Sequence, residues 1–299
     1  MGRLRRTLAF FSPRRRRWER FLRSLPLDPG NLPRPLLPPG ERDVIICGCP
    51  RTGTTLLAAA LFQPPQVVTV MEPWDGMRMA PAELFASLRQ EIAATGRITR
   101  GRLDLPLLLR SGEVRWCQEG AGALPLTVAP GFLLGVKWPA FWRYLEMLGE
   151  TKFLVCLRDP LEVIASFRDA GGRLTMGFNQ ETRFNRPMND DLRAATRDAA
   201  LRRVLLFEYI HTRVLPFLQR PNVLVVRYER WVDDRERLLR DLGTFLGVPL
   251  GAGPARIGKP RPHASFSPRE FDLIRAHCST ADALGYPLPG GAAARAFVG

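Results

Sequence analysis

Apolar residues along this chain gather into five short runs: Val44–Ile46, Val67–Val70, Phe132–Val136, Phe153–Leu157 and Val223–Val226. Runs of this length without polar alternation read as strands buried on both faces of a parallel sheet. Between them the apolar positions recur at helical spacing over residues 54–61, 80–95, 161–169, about 192–219 and 234–246, with a last helix near 268–277. Gly247 and Pro249 stop the helix before them. The alternation predicts an α/β fold, a single domain with a central parallel sheet of about five strands flanked by helices. Two stretches resist this pattern. Residues 96–131 are predicted to form a lid or substrate-facing segment, and Phe178–Asp191 a polar loop. In such sheets ligands sit beyond the carboxyl ends of the strands. That rule places Arg51, Glu72, Lys137, Arg158 and Tyr228 along one edge.

The first strand carries the most specific chemistry. Gly48-x4-Gly53-Thr54-Thr55 has the spacing of a phosphate-cradling P-loop, with Pro50, Arg51, Thr52 and Gly53 turning the chain into a helix. A helix start offers unpaired N–H groups and a favourable dipole to an anion. The slot for the P-loop lysine holds Thr54, and the loop's cation is Arg51. The alternative is an ordinary strand–helix turn containing a glycine. A second anchor lies at Arg158, with Ser166 eight residues on, an arginine and a hydroxyl near a helix start. Asp159 could imitate a magnesium-binding acid, but Arg158 beside it argues against a dication. Two phosphate sites without a metal point away from ATP and toward a nucleotide bearing both 5′ and 3′ anions.

Charge sharpens this reading without replacing it. The net charge of +15 is carried almost wholly by arginine, the lysines being Lys137, Lys152 and Lys259. Residues 1–40 contain ten arginines against Glu19 and Asp28, so the remainder is only moderately basic. That suits an anionic ligand, and no nucleic-acid module is evident. Trp18, Phe21, Leu22 and Leu25 form the apolar face of a short basic helix that either docks on the domain or touches an anionic membrane surface. Residues 26–40, with six prolines, read as an extended linker. Residues 1–40 are thus a basic amphipathic segment and linker, and residues 41–299 the functional domain. Cys47, Cys49, Cys117, Cys156 and Cys278 show no disulfide framework, and Cys47 and Cys156 lie in apolar strands. With no long apolar span and no signal-peptide pattern, a cytoplasmic protein is expected, with peripheral membrane contact through residues 1–25 as an added option.

The motifs resemble those of one family. GCPRTGTTLL is similar to the 5′-phosphosulfate loop of sulfotransferases that use PAPS (3′-phosphoadenosine 5′-phosphosulfate). LVCLRDPLEVIASF resembles their 3′-phosphate motif, and VLVVRYERWVDDRERLLRDLGTFLGVP their late strand–Tyr–helix segment. The resemblance implies a P-loop-type domain. It implies that Pro50, Arg51, Thr52, Gly53, Thr54 and Thr55 hold the phosphosulfate, Arg158 and Ser166 the 3′-phosphate, and Tyr228 a place near the adenine. In the branch with tyrosylprotein and carbohydrate sulfotransferases, a glutamate ending the second strand is the base. Glu72, in its E-P context 21 residues after Arg51, matches it. Lys137, in K-W-P, matches a lysine that stabilises charge at the transferred group. Lys259 and Arg261 match a loop that closes over the nucleotide, although the family's glycine pattern there is only partly present. His211 lies in a long helix and reads as structural, and no equivalent of the histidine base used by the cytosolic aryl/steroid branch is found.

The expectation is sulfuryl transfer from PAPS, without a metal, to a hydroxyl-bearing small molecule or glycan. Such a displacement needs positioning, a carboxylate to take the hydroxyl proton, and cations facing the developing charge. The runner-up is a P-loop kinase or NTPase with an altered loop. Glu72 as a surface carboxylate, Lys137 as a salt-bridged lysine, Ser166 as a plain helix serine and Tyr228 as a packing aromatic are the competing structural readings. The acceptor would be shaped by residues 74–131 and 173–191, where Trp74, Trp116, Trp138 and Trp142 line a pocket or join the core.

Overall fold

The structure, a computed structural model, describes residues 38–73, 76, 79–101, 124–180, 182, 185–252 and 266–288. In chain order the first elements are β1 (Asp43–Gly48), α1 (Thr54–Leu61), β2 (Val67–Met71), α2 (Pro81–Thr95), β3 (Arg97–Ile98) and β4 (Leu124–Pro125). There follow β5 (Leu133–Lys137), a 3-10 helix (Pro139–Tyr144), β6 (Lys152–Leu157), α3 (Pro160–Asp169), α4 (Arg186–Ala195) and α5 (Ala199–Val214). The chain continues through β7 (Val223–Arg227), α6 (Arg230–Asp233), α7 (Arg235–Leu246), α8 (Pro268–His277) and α9 (Thr280–Ala283). These elements fall into two compact units, one within 29–158 and 217–260, the other within 159–216 and 261–299.

The first unit holds a five-stranded sheet in the order β2-β5-β1-β6-β7, every neighbouring pair parallel. All five strands are the runs read from the sequence. β1 is central and buried along its whole length because both its faces and both its edges are covered. Val44, Ile45 and Ile46 are fully buried, each contributing about 1.5–3 kcal/mol relative to an exposed side chain. α1 packs on β1, β2 and β5, and the buried Thr69 hydroxyl of β2 donates to the Ala58 carbonyl of α1 at 2.7 Å. At the amino end of β1, Asp43 pairs with Arg89 of α2, and burial pushes its carboxyl above the ordinary range despite that partner. The register aligns the carboxyl ends: Ile46 and Met71 both face Lys137, and Leu157 faces Arg227.

Beyond the sheet, β3 and β4 form a two-stranded antiparallel pair that brackets residues 102–123. Of the stretch 96–131 expected to be a lid or substrate-facing segment, residues 102–123 lie outside the described residues. The amphipathic segment at 1–25 and most of the linker also lie outside them.

The second unit is helical, with α3, α4, α8 and α9 all packed on α5. Val204, Phe207, His211 and Val214 make one buried stripe of α5 at helical spacing. The sequence reading of one helix over 192–219 is corrected here. The chain forms α4 and α5, with Thr196 extended between them. Asp198, whose side chain accepts from the Ala200 N–H at 2.9 Å, restarts the helix. The end of the predicted polar loop is correspondingly helical from Arg186. α8 opens on a reciprocal cap: Glu270 N–H donates to Ser267 Oγ at 3.3 Å and Ser267 N–H to Glu270 Oε2 at 3.2 Å. Among the described residues no helix is long and apolar enough to cross a membrane.

Candidate active site

The loop after β1 is shaped by glycines where no other residue fits. Gly48 has φ +145, and a Cβ there would stand 2.6 Å from the Cys156 carbonyl oxygen of β6. Gly53 has φ +95 and forms the amino cap of α1, with no side chain capping the helix. No side-chain cap therefore takes up its first N–H groups. Thr52 is buried, and its hydroxyl donates to the Cys49 carbonyl at 2.7 Å, so it works as part of the loop's frame. Thr54 is buried and Thr55 half-buried at the helix start. Arg51 adopts φ +75, a left-handed conformation costing on the order of 1–3 kcal/mol for a residue with a side chain.

Arg158, directly after β6, explains how that conformation is held. Its Nη1 donates to the Arg51 carbonyl at 3.3 Å. Its guanidinium lies over the Tyr228 ring at 4.3 Å, a contact worth roughly 0.5–2 kcal/mol. Tyr228 in turn fills the space beside Gly53, where an added Cβ would be 2.6 Å from Cδ2 of the ring. Tyr228 thus packs its edge on the glycine loop and its face on Arg158. Arg51 is exposed as a residue, yet surrounding protein thins the water around its guanidinium and pulls its pKa down, with the positive charge of Arg158 adding to the effect. Two crowded guanidiniums beside an uncapped helix start fit an anion of two or more charges, whose binding would offset their repulsion.

Glu72 and Lys137 come together at the ends of the neighbouring strands β2 and β5. Lys137 Nζ lies 2.5 Å from Glu72 Oε1, and the Glu72 N–H donates to the Lys137 carbonyl at 2.8 Å. Lys137 is buried, Glu72 half-buried, and Glu72 is the second non-glycine residue among those described with positive φ, at +47. Of the three residues singled out for chemistry in the sequence, Arg51 and Glu72 sit in strained backbone, and Lys137 ends a regular strand. Such strain persists only where neighbours enforce it, and it gathers at functional sites.

Comparison with known proteins gives the family of the chain. The family described as Sulfotransferase family matches residues 43–251, more than half of the chain. The chain belongs to that family. The match sets aside the kinase or NTPase alternative. Nodulation protein NoeE of Sinorhizobium fredii is 30% identical over 150 residues, covering 44% of this chain and 34% of NoeE. The chain thus spans about a third of that relative's length. Among solved structures, the sulfotransferase domain of the Synechococcus PCC 7002 olefin synthase aligns with TM-score 0.45 and 18% identity over 84% of this chain and 97% of that one. A sulfotransferase from Alicyclobacillus acidocaldarius aligns with TM-score 0.40 and 17% identity over 82% and 96%.

The remaining sequence candidates are placed as follows. Ser166 is buried on α3 in the helical unit. Asp159 caps α3, its Oδ1 accepting from the Leu161 N–H at 2.7 Å, which accounts for an acid after the strand. Pro50 is buried in the loop. Lys259 and Arg261, with His263, lie outside the described residues, as do Trp74 and Trp116. Trp138 and Trp142 are buried, Trp138 stacked on Phe141 at 5.7 Å between ring centroids. His211 is fully buried with Nδ1 2.8 Å from the Phe207 carbonyl, and burial lowers its pKa to about 4. The Arg158–Tyr228–Gly53 contact has no sequence signal, since it joins residues from three distant segments.

Proposed function

We propose that this sulfotransferase moves the sulfuryl group of PAPS to a hydroxyl on a carbohydrate, glycolipid or other natural product, with Glu72 as the base. The observation that carries the reading is the Glu72–Lys137 pair at the strand ends next to the β1 loop. Pro50 to Thr55 and Arg51 receive the 5′-phosphosulfate at the start of α1. Arg158 and Ser166 receive the 3′-phosphate, supported by their eight-residue spacing after a strand. Tyr228, already packed on Arg158, borders the adenine, and Lys259 and Arg261 close over the nucleotide. PAPS supplies the sulfuryl group: its bond to the 5′-phosphate oxygen breaks as the acceptor oxygen bonds to sulfur.

The chain's residues perform the rest. Lys137 holds Glu72 Oε1 and so fixes the carboxylate's direction. Glu72 takes the proton leaving the acceptor hydroxyl. Arg51 and Lys137 face the charge that develops on the leaving side, in a partly dehydrated setting where such contacts are strong. Cations of the protein supply this charge, and the reaction is assigned no metal. Work in the cytoplasm is supported by buried free thiols at Cys47, Cys156 and Cys278. The basic amphipathic pattern of residues 1–25 supports peripheral membrane contact.

The test supplies sulfur-labelled PAPS and a cell extract, and identifies the molecule that takes the label. Glu72→Gln is expected to abolish incorporation while PAP, the desulfated product, binds with nearly unchanged affinity. Full turnover by that variant removes the base assignment, and labelling that demands ATP and magnesium removes the donor.

A further inference from the structure

The turn that carries Glu72 is held from the sheet and also from outside it. Lys137 fixes it from β5, through the backbone bond and the ion pair. A constraint from outside the sheet comes from Gly101, in a different segment of the chain. A Cβ on Gly101 would stand 2.4 Å from the Met71 carbonyl oxygen and 3.2 Å from both Cα and N of Pro73. Met71 and Pro73 are the two neighbours of Glu72 in the chain. Gly101 also has φ +84, so its position excludes a side chain on two separate grounds.

Gly101 is delivered to that spot by a brace from α2. The Thr99 N–H donates to Glu91 Oε1 at 3.1 Å, and Arg100 Nε donates to Glu91 Oε2 at 2.5 Å. The Thr99 hydroxyl bonds the same carboxylate. One side chain thus fastens both residues preceding Gly101 to α2, whose buried face of Leu84, Phe85, Leu88 and Ile92 anchors it in the core.

We infer that Gly101 and Glu91 are positioning residues for the reacting carboxylate. Glu91 sets residues 99–100, these set Gly101, and the Gly101 backbone presses on Met71 and Pro73 to keep Glu72 in its left-handed turn. The inference rests on the reading of Glu72 as the base. Displacing the turn misaims the carboxylate and leaves the nucleotide loop, formed by other residues, untouched.

The test measures label transfer from sulfur-labelled PAPS into the extract fraction that accepts it, together with PAP affinity by calorimetry. Gly101→Ala is expected to lower kcat about 10- to 100-fold, with KM for PAPS and PAP affinity within about twofold of wild type. Glu91→Ala is expected to lower kcat in the same way. Glu91→Gln keeps an acceptor for Thr99 and recovers most of the rate. Gly131→Ala serves as the control, because Gly131 has φ +66 but nothing within 4 Å of an added Cβ. It is expected to retain wild-type kcat. If Gly101→Ala does not fold, the Glu91→Ala and Glu91→Gln pair decides. Wild-type kcat in Gly101→Ala and Glu91→Ala, or kcat and PAP affinity falling together, overturns the inference. Glu72→Gln run alongside separates the two readings: its activity would overturn the base, whereas its inactivity beside a fully active Gly101→Ala would overturn only the positioning role.

Discussion

Removing the two partners of the Glu72–Lys137 pair one at a time should have unequal consequences, because the partners differ in exposure. The Lys137 side chain is 3% exposed and that of Glu72 15%. Glu72→Gln leaves a buried ammonium without its counter-charge. Breaking a buried pair this way costs about 3–5 kcal/mol, and the amide oxygen, still able to accept one N–H, puts this variant near the low end. Lys137→Met keeps the volume and leaves a carboxylate that water can reach, so about 1–2 kcal/mol is expected. In the double variant no unpaired charge remains, and the loss should fall below the sum of the single losses by about 2 kcal/mol. Urea unfolding at pH 7 followed by tryptophan fluorescence measures this directly, since five of the six tryptophans fall within 29–158 and 217–260, the sheet unit. Turnover provides the second axis: Glu72→Gln should be inactive and Lys137→Met slowed about 100- to 1,000-fold. Losses that add within about 0.5 kcal/mol would show that the pair is not coupled. A larger loss for Lys137→Met than for Glu72→Gln would refute the burial argument itself.

Other expectations concern the loop and the helical unit. Gly53→Ala places a Cβ 2.6 Å from the Tyr228 ring at a residue with φ +95, so PAP affinity by calorimetry should fall about tenfold or more; unchanged affinity would dissociate the loop's shape from nucleotide binding. His211 carries a pH signature. Its pKa is about 4 in the folded chain against an ordinary 6.5, so the unfolded chain takes up the proton first. Stability should be at its plateau above pH 6.5 and decline toward pH 4, by roughly 3 kcal/mol in all. His211→Leu should flatten that part of the profile in denaturant titrations at stepped pH, and an equally steep decline in the variant would contradict the assignment.

How legible the molecule was in its sequence follows the range of the interactions concerned. Buried parallel strands announce themselves as unbroken apolar runs, so β1, β2, β5, β6 and β7 were readable, and with them the line of Arg51, Glu72, Lys137, Arg158 and Tyr228 at their carboxyl ends. The break between α4 and α5 was missed because apolar periodicity continues across it, while Asp198, a local capping choice, restarts the helix. Asp159, legible only as an acid after a strand, turned out to cap α3.

The P-loop-like spacing with Arg51 in place of a lysine, and the strand-end glutamate, were determined by the sequence alone, because each is a short-range pattern of residue types. Tertiary structure decided how those residues are held. Lys137 reaches Glu72 only because β2 and β5 are neighbours, Tyr228 meets Gly53 and Arg158 only because β6 separates β1 from β7, and Gly101 lies against the Glu72 turn while Glu91 of α2 binds the two residues before it. Each is a contact between segments far apart in the chain, and no periodicity or spacing encodes such a contact until the sheet order brings its partners together.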